Sequence, residues 1–589
     1  MALKTFWRLL GFLRPYRRGV TLSFVLAAAA MGVSVLVPYL VGRTVDDIGR
    51  EGANLWPLAL AVAGAGVLRL VFSVARRVVA GRVSLGVEYD LRNRMYQHLQ
   101  SLELAFFDGQ QTGQLMSRAT VDLQAVRFFL GYGLIFLVQS AITILIAALV
   151  MFALDPGLAA VALAPTPFVV WIAFRYGQRN RPATQEVQQR IAELTAEAEE
   201  NIGGVRVVKA FAQEQRQLRR FGMAVARVFD QSMISTRLRA FYSPFIGFLP
   251  QLGLAALLLV GGRQAINGTI TVGEFIAFYG YVLMLTGPMR WLGMALGMAQ
   301  RAVASGARVF ELLDREPRLN ATPDAKPLPP GGGRVELRDV SFGYDGEEPV
   351  LRGIDLDVEP GRTVAIVGPT GSGKTTLVML IPRLYDVSAG AVLVDGVDVR
   401  DVEPASLRGE VAVVSDDAFL FSASLGDNIA YARPDASEQE ITSAAERAGL
   451  AELLQELPEG LDTLVGERGL TLSGGQRQRV AIARALIGEP RILILDDATS
   501  SVDATTENRI KSALSEVMAG RTTFVIAHRL STIALADEVV VLESGEIVAR
   551  GTHAELLESS PLYREIAEKG LPDQVFLTRD DPEREVAGL

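Results

Sequence analysis

A glycine-rich stretch in the second half of the chain has the residue types and spacing of a phosphate-binding loop. It matches the pattern GxxxxGK[ST] and directly follows the apolar run 363–367. Backbone N–H groups of such a loop wrap around phosphate oxygens, Lys374 can reach the β- and γ-phosphates, and the Thr375 hydroxyl can bind Mg²⁺. The helix after the loop would point its N-terminus at the anion. The predicted phosphate-binding residues are Gly368, Pro369, Thr370, Gly371, Ser372, Gly373, Lys374, Thr375 and Thr376.

A second apolar run, further along the chain, ends in an acidic pair. Residues 491–495 read Arg-Ile-Leu-Ile-Leu and are followed by Asp496 and Asp497. If this run is a strand, Asp496 lies at its end, where a carboxylate can hold Mg²⁺ through a bound water. Many strands end in aspartate, so this signal is weak alone and strong only together with the glycine-rich loop. The two motifs together predict a site for a nucleoside triphosphate and Mg²⁺.

The segment between these two motifs carries a family signature. Residues 472–476 read Leu-Ser-Gly-Gly-Gln, and this LSGGQ sequence resembles the signature of ATP-binding cassette (ABC) transporters. Other motifs of that family occur in order, including an exporter-specific loop at 463–469, a D-loop at 500–503 and a switch histidine. Residues 106–118 and 200–211 resemble the two intracellular loops of the family's transmembrane domain.

The resemblance implies a role for each matching residue. It implies ATP and Mg²⁺ as cofactors, with Thr375, Asp416 and Asp496 at the metal ion, and Asp497 and His528 as catalytic residues. The implied ATP-binding residues outside the glycine-rich loop are Tyr344, Asp416, Ser473, Gly474, Gly475, Gln476 and Asp503. Members of the family work as dimers, so each ATP would lie between the loop of one half and the signature of the other.

Two of these positions depart from the family pattern. The residue after Asp496 is normally Glu, which orients the attacking water, and here it is Asp497. Asp416 stands where the family has a Gln that contacts Mg²⁺ and water. The shorter Asp497 withdraws its carboxylate by about 1 Å, and a misplacement of about 1 Å can lower a rate ~10²-fold. We therefore expect this chain to bind ATP, to hydrolyse it poorly, and to need a second, non-identical ABC half-transporter with an intact Glu. The alternative is that both changes are tolerated in an active homodimer.

The elements that would position these residues are strands and helices in alternation. Short runs rich in β-branched residues at 335–340, 363–367, 492–495, 523–526 and 539–542 predict strands, and helical patterns separate them. This alternation predicts an α/β P-loop ATP-binding cassette with a largely parallel core sheet. A linker rich in proline and glycine precedes it.

The first half of the chain predicts an α-helical six-span transmembrane domain. Six apolar runs lie at 20–42, 52–68, 128–154, 157–174, 241–262 and 275–289. The second continues past Arg69 to residue 75 and the sixth continues past Arg290, so each run is long enough to predict a membrane span. Two polar connections, 76–126 and 175–238, read as continuous helix and predict long cytoplasmic helical extensions. Their arginines, and the cations before the first span, place both termini on the cytoplasmic side of the cytoplasmic (inner) membrane.

This organisation predicts five segments along the chain. They are an interfacial elbow helix at 1–18, the transmembrane domain at 19–310, a linker at 311–333, the ATP-binding cassette at 334–570 and a tail at 571–589. The elbow segment mixes aromatic and aliphatic residues with cations, which is typical of a helix at a bilayer surface. Six spans followed by one cassette resemble one half of a type IV (B-family-like, multidrug-exporter-type) ABC exporter.

The composition limits the other functions. The chain has 589 residues, of which 49% are hydrophobic, a net charge of −8 and no cysteine. Charge-free runs fill its first half, which excludes a single soluble enzyme, and no basic stripe supports binding to nucleic acid. The lack of cysteine excludes disulfides, thiolate metal sites and a cysteine peptidase.

The sequence favours ATP-driven export of an amphipathic small molecule, lipid or peptide by one half of a heterodimer. A homodimeric exporter, an importer built on the exporter fold, and a non-catalytic regulatory or channel-like half are the alternatives. The transported substrate cannot be read from the sequence, because the aromatic residues at 241–248 and 278–281 can line a cavity or pack against lipid and other helices.

Overall fold

Two compact units make up the described chain. The computed structural model describes residues 2–48, 54–319, 322, 324–344, 348–466, 469, 472–496, 514–515, 517–527 and 529–569. The membrane unit comprises Met1–Gln100 and Gln111–Arg315, and the cassette unit comprises Ser101–Gln110 and Glu316–Leu589. Ser101–Gln110 therefore belongs to the cassette unit, although the chain on both sides of it belongs to the membrane unit.

Helices form most of the described residues of the membrane unit. They are α1 Ala2–Gly11, α2 Arg17–Ile48, α3 Trp56–Ser101, α5 Thr112–Ser117, α6 Leu123–Phe128, α7 Leu134–Leu154, α8 Pro156–Leu163, α9 Thr166–Gly203, α10 Val205–Ala210, α11 Glu214–Ile266 and α12 Val272–Leu313. Between α3 and α5, the short helix α4, Leu104–Asp108, lies in the cassette unit. Two wide π-type turns, Arg118–Asp122 and Phe129–Gly133, join α5, α6 and α7 into one helical run.

Five helical runs among the described residues are long and apolar enough to cross a membrane. They are Arg14–Ile48, Trp56–Ser101, Thr112–Leu154, Pro156–Gly203 and Glu214–Ile266. Four of these runs contain the first, third, fourth and fifth predicted spans, and Trp56–Ser101 contains the second predicted span from residue 56 onward. The sixth predicted span lies in α12, which is one unbroken helix of 42 residues. The transmembrane helical fold is therefore present, and the count of six spans stays a prediction.

The structure corrects the prediction that each of the two long polar connections is one continuous helix. The connection 76–126 is not one continuous helix, because the chain leaves the helical conformation on both sides of α4. The connection 175–238 is interrupted on both sides of α10, at Gly204 and at Ala212, where φ is +48°. A hairpin must reverse the chain, which a straight helix cannot do. The sequence pattern predicts long helical hairpins here, and its good helix formers do not show where the helix breaks.

The elbow segment 1–18 is also not a single helix. α1 ends at Gly11, a 3₁₀ turn follows at Arg14–Tyr16, and α2 begins at Arg17. The interruption coincides with Pro15, which lacks the N–H group needed to continue a helix and is favoured at the start of a new one.

α1 is docked on the end of α12. Two hydrogen bonds of 2.7 Å run from the Arg8 guanidinium to the Asp314 carboxylate, and the guanidinium also lies 3.9 Å from the centre of the Phe310 ring. Leu9 is 2% exposed and packs against Gly306. The hydrogen bonds from Arg8 lower the pKa of the Asp314 carboxyl below its ordinary value, so this pair stays ionised at neutral pH.

The described part of the cassette unit contains two sheets. Their strands are β1 Val335–Phe342, β2 Leu351–Val358, β3 Thr363–Val367, β4 Ala389–Val394, β5 Val397–Asp398, β6 Val411–Val414, β7 Ile492–Asp496, β8 Thr522–Ile526, β9 Glu538–Glu543 and β10 Glu546–Gly551. The six-stranded sheet has the order β10-β9-β3-β8-β7-β6 and is parallel except for β10. The second sheet is antiparallel, with the order β2-β1-β4-β5. The α/β prediction is confirmed, but the predicted strand 335–340 lies in the antiparallel sheet.

The helices of the cassette unit pack around these sheets. Among the described residues, the helices with defined bounds besides α4 are α13 Lys374–Leu380, α14 Pro404–Gly409, α15 Leu425–Ile429, α16 Glu438–Arg447, α17 Ala451–Glu456, α18 Gly474–Ile487, α19 Leu530–Ile533, α20 His553–Ser559 and α21 Pro561–Lys569.

Alternate residues of the central strands face two separate cores. In β3, Val364 and Ile366 pack with the antiparallel sheet and α13, whereas Ala365 and Val367 pack with α16 and α18. All five residues of β3 are buried, because both faces of this parallel strand are covered.

The parallel register brings the candidate site residues to one edge of the sheet. The glycine-rich loop follows β3, Asp496 ends β7, and Asp416 lies two residues after β6. Ligands of open α/β sheets bind at the carboxyl ends of the strands. The fold thus gathers at one edge positions that are far apart in the sequence.

Candidate nucleotide-binding site

The glycine-rich loop leaves β3 in a turn that requires glycine at its two ends. A Cβ atom on Gly368 would lie 2.0 Å from the carbonyl oxygen of Leu542 in β9. Gly373 has φ +99°, and a Cβ atom there would lie 2.8 Å from Cδ2 of Leu351. Glycine alone combines this close approach with left-handed backbone angles. Successive backbone N–H groups in turns of this kind form concavities that bind anions.

Lys374 lies buried beneath the loop. Its Nζ donates hydrogen bonds of 2.9 Å to the carbonyl oxygens of Gly368 and Pro369, and the residue is 7% exposed. Burial lowers the pKa of the Lys374 ammonium below its ordinary value, while the charge of Asp496 acts in the opposite direction. The loop therefore holds a cation whose position is set by its own backbone.

Ser372 offers a direct test of whether the loop fits a phosphate group. Its Oγ is buried without a hydrogen-bond partner among the described residues, and the residue is 4% exposed. A buried hydroxyl without a partner costs about 1–3 kcal/mol. A phosphate oxygen would supply the missing partner, so the residues present fit such a group.

Thr375 and Asp496 meet at the mouth of the site. The Thr375 hydroxyl donates a hydrogen bond of 3.1 Å to Oδ2 of Asp496, as expected if both lie beside one metal ion. The described residues contain no group of three or more His, Cys, Asp or Glu side chains that could form a metal cage. Mg²⁺ commonly binds through one or two carboxylates together with substrate phosphates and water. The donor set therefore fits Mg²⁺ held jointly with a nucleotide.

Tyr344 lies beside the loop. Its hydroxyl shares a hydrogen bond of 3.0 Å with Oγ1 of Thr376, in the first turn of α13. Its ring packs edge-on against Phe342, with a centroid distance of 4.9 Å and an interplanar angle of 84°. Tyr344, one of the implied ATP-binding residues, is therefore next to the predicted phosphate loop.

The LSGGQ sequence begins a helix of 14 residues, α18. Oγ of Ser473 accepts a hydrogen bond of 3.2 Å from the backbone N–H of Gln476, and the backbone N–H of Ser473 donates one of 2.7 Å to Oε1 of Gln476. This reciprocal pair is a capping box, which satisfies two N–H groups at the helix end. Both side chains thus have a structural role, which the Ser-x-x-Gln spacing could have revealed.

Comparisons with known proteins agree with this geometry. A model of the ABC transporter transmembrane region matches residues 20–289, and a model of the ABC transporter domain matches residues 351–500. The chain is 38% identical over 554 residues to the ATP-dependent lipid A-core flippase of Syntrophus aciditrophicus, across 94% of this chain and 92% of the relative. The chain belongs to the ABC transporter family.

One further relative and one solved structure are similar to this ABC transporter. It is 41% identical over 595 residues to a multidrug efflux ATP-binding/permease protein of Mycobacterium tuberculosis, across 100% of this chain and 50% of that protein. It therefore spans half the length of this mycobacterial relative. A solved structure of a bacterial Atm1-family ABC exporter with ATP bound matches it with a TM-score of 0.79 and 30% identity, across 93% of this chain and 97% of that one. The ABC transporter thus has the exporter fold and is a multi-pass protein of the cytoplasmic membrane, with its cassette in the cytoplasm.

Several predicted site residues cannot be placed beside the loop. Asp497, Asp503 and His528 lie outside the described residues. Asp416 is described and exposed, and it follows β6 at the same sheet edge as Asp496.

Two contacts of this site have no counterpart in the sequence motifs. Gln478 in α18 is 5% exposed, and its Nε2 donates a hydrogen bond of 3.3 Å to the carbonyl oxygen of Ser415, next to Asp416. Tyr385 packs its ring edge-on against Tyr344, with a centroid distance of 5.4 Å. Neither residue belongs to a pattern that by itself indicates nucleotide chemistry, so only the fold reveals them.

Proposed function

We propose that this ABC transporter is one half of an ATP-driven exporter of an amphipathic small molecule, lipid or peptide. The observation that carries the proposal is the hydrogen bond of Thr375 to Asp496 beside the buried Lys374. These side chains match the requirements of Mg-ATP, and they lie in a chain whose other unit consists of membrane-spanning helices. A flippase and a multidrug efflux protein among the relatives support an amphipathic substrate.

The chain would work as a dimer with a second half-transporter. The mycobacterial relative matches this chain over only 50% of its own length, which leaves room for a second half of similar size. In such a pair, the LSGGQ sequence at the start of α18 would complete the ATP site of the partner. Gly474 and Gly475 bring no side chain that could block the approach of a phosphate to the end of this helix.

We further propose that the two halves are not identical. The two departures from the family pattern, Asp416 and Asp497, both affect the groups that hold Mg²⁺ and the attacking water. Asp416 adds a negative charge beside the triphosphate, and Asp497 reaches about 1 Å less far than Glu, a displacement that can lower a rate ~10²-fold. The chain's own LSGGQ sequence is intact. The ATP site on this chain would then bind ATP and turn it over slowly, and the site completed by its signature would be the active one.

Each described residue has a defined task in this mechanism. Lys374 balances the charge of the terminal phosphates, the loop backbone and Ser372 bind phosphate oxygens, and Thr375 and Asp496 would hold Mg²⁺. The metal ion would neutralise phosphate charge during phosphoryl transfer. ATP binds the closed pair of cassettes better than the open pair, so it shifts the population toward the closed state. Hydrolysis and product release return the transporter to its starting state.

ATP turnover by the purified chain alone tests this proposal. We expect low turnover that Asp497→Asn barely changes and that Asp497→Glu raises roughly tenfold or more, because Glu restores the missing reach. Lys374→Ala serves as the control for contaminating ATPases and should abolish the remaining turnover.

The same experiment distinguishes an active homodimer from a pair of non-identical halves. The contrary result is rapid ATP turnover by the parent chain, with Asp497→Asn removing about half of that rate or more. Asp497 would then act in catalysis, and the proposal that the two halves are not identical would be wrong.

A further inference from the structure

The helical run that holds α5, α6 and α7 contains a wide turn at Phe129–Gly133. At its end, the backbone N–H of Leu134 donates a hydrogen bond to the carbonyl oxygen of Phe129, five residues earlier instead of the four of an α-helix. Turns of this π type are rare, occur mostly as single turns inside α-helices and are frequent at functional sites. They are also one of the few causes of a sharp bend in a long helix. The run therefore has a point at which it bends more easily than a regular helix does.

This turn packs against α3 by an approach that requires glycine. A Cβ atom on Gly131 would lie 2.2 Å from Oγ of Ser84 in α3 and 2.3 Å from its Cβ. The Ser84 hydroxyl donates a hydrogen bond of 3.3 Å to the carbonyl oxygen of Arg127, two residues before the turn. A side chain that enters the backbone hydrogen bonding of a helix in this way is another recognised cause of a bend. Ser84 thus contacts the helical run at its irregular point.

The two sides of the turn are held by different kinds of contact. Before the turn, the Arg127 guanidinium donates a hydrogen bond of 2.9 Å to Glu88 in α3, and Nε of Arg308 in α12 donates one of 2.8 Å to Asp122. After the turn, α7 packs in an apolar cluster with residues of α2, α8, α11 and α12. Ion pairs therefore anchor the part of the run before the turn, and apolar packing anchors the part after it.

α12, which contacts both parts of the run, has its own irregular point. The rings of Phe136 in α7 and Trp291 in α12 lie 5.3 Å apart, and Phe136 follows the turn by three residues. Pro288, inside α12, precedes Trp291 by three residues. A proline inside a helix removes a backbone hydrogen bond and kinks the helix. The contact of Phe136 with Trp291 thus lies within one helical turn of a wide turn in one run and of a proline in the other.

We propose, building on the ATP-driven export above, that the wide turn Phe129–Gly133 is a hinge at which α7 changes its angle to the α5–α6 part of the run. A membrane unit that opens on alternate sides needs helices that change their relative angles. Hinges are a few residues that absorb changes in φ and ψ, and they are often small. Gly131 and Gly133 meet that description, and Ser84 is a positioning residue that sets the hinge against α3. The whole device lies within the membrane unit.

The absence of cysteine from the chain allows this hinge to be locked and released. Phe128 and Tyr132 are both exposed, and their rings lie 5.4 Å apart across the turn. Phe128→Cys together with Tyr132→Cys gives a thiol pair that a short bis-methanethiosulfonate reagent bridges and that dithiothreitol releases. ATP-dependent accumulation of Hoechst 33342 in inside-out membrane vesicles measures transport by the full-length protein. Displacement of a fluorescent ATP analogue measures ATP binding, and mass spectrometry measures the extent of bridging.

Bridging should separate ATP binding from transport. We expect transport to fall about fivefold or more, the lower end of the usual coupling between two states, while the affinity for ATP stays within about twofold. Dithiothreitol should restore transport. The matched control is Leu85→Cys with Tyr89→Cys, an exposed pair with the same spacing in the unbroken helix α3, beside Ser84. Bridging of this control pair should leave transport unchanged.

Gly131→Ala tests the hinge without any reagent. The added methyl group would push the turn away from Ser84, so transport should fall while ATP binding stays normal. Adding Ser84→Gly removes the obstacle and should restore most of the transport, which a general loss of stability would not allow.

Three results would overturn the inference. The first is unaltered transport in the fully bridged Phe128 and Tyr132 variant. The second is an equal loss of transport in the bridged control pair, because stiffening at the turn would then have no special effect. The third is parental transport by Gly131→Ala, which also decides the matter if the thiol pair at 128 and 132 is inactive before bridging. A parent protein that binds ATP but accumulates no probe would instead contradict the proposed function, and with it the hinge.

Discussion

The hydroxyl of Thr375 is the residue-scale feature on which binding of Mg²⁺ depends most directly. It lies 3.1 Å from Asp496 and is exposed, so it is free to exchange this contact for a metal ion. Thr375→Ala should lower the affinity for ATP in the presence of Mg²⁺ by about tenfold or more, the usual scale for a disturbed metal shell. Titration with a fluorescent ATP analogue, with Mg²⁺ and then with EDTA, measures this effect.

Thr375→Ser is the matched control for that prediction. It keeps the hydroxyl and should keep most of the Mg²⁺-dependent affinity. Equal affinities of Thr375→Ala and the parent protein in Mg²⁺ would show that this hydroxyl does not serve the metal ion.

Single residues of the site differ in how far the sequence can predict them. Lys374, Thr375 and Asp496 are readable because a local pattern fixes each of them next to a strand end. Tyr385 and Asp108 are not, because their contact joins positions 277 residues apart and neither type is rare. Ser473 is readable as part of LSGGQ, but its bond to Gln476 shows a helix-capping role that the family signature does not mention.

At the scale of elements, helices α16 and α18 begin with the same kind of cap and can be compared directly. Ser437 caps α16 by the same reciprocal bonds to Glu440 that Ser473 makes to Gln476 in α18. Ser437→Ala and Ser473→Ala should each lower the free energy of unfolding by about 1 kcal/mol, the usual cost of a lost cap. Thermal unfolding of the full-length protein measures both.

The two variants should differ in ATP turnover by the assembled transporter. Ser473→Ala should reduce it, because the LSGGQ helix is proposed to complete the partner's site, whereas Ser437→Ala should leave it nearly unchanged. Equal losses of turnover in the two variants would mean that helix stability alone is responsible, and would contradict the role given to Ser473.

The sequence predicts a helix or strand well where the spacing of its hydrophobic residues agrees with glycine or proline residues that mark its ends. β3 has the predicted bounds because its residues are apolar on both faces and the glycine-rich loop ends it. The sequence does not predict the antiparallel sheet as a separate layer, because the pairing of strand 335–340 is decided by partners that are distant in the sequence. The breaks around α4 and α10 were missed for a related reason: helix propensity is local, whereas the reversal of a hairpin is a property of the whole hairpin.

At the scale of the whole molecule, the uneven composition corresponds to two units, one suited to lipid and the other to water. The charge-poor half forms long helices with exposed apolar side chains, such as Leu60, Val67 and Leu145, which suit lipid rather than water. The second half buries its apolar residues in two cores on either side of one sheet. The segment Ser101–Gln110 is the exception, since it belongs to the cassette unit while its flanking helices belong to the membrane unit. The chain therefore passes through the cassette unit between α3 and α5.

The direction of transport is the prediction that belongs to the whole molecule. In inside-out membrane vesicles the cassette faces the external solution, so added Mg-ATP reaches it at once. We expect ATP-dependent accumulation inside the vesicles of an amphipathic probe such as Hoechst 33342, or movement of a fluorescent phospholipid to the lumenal leaflet. Lys374→Ala vesicles should show neither. ATP-driven loss of preloaded probe from the vesicles would instead identify an importer on the exporter fold, and an ATP-gated ion conductance without accumulation would identify a channel-like half. Accumulation is the outcome that the proposed export predicts, because transport away from the cassette is transport toward the lumen in these vesicles.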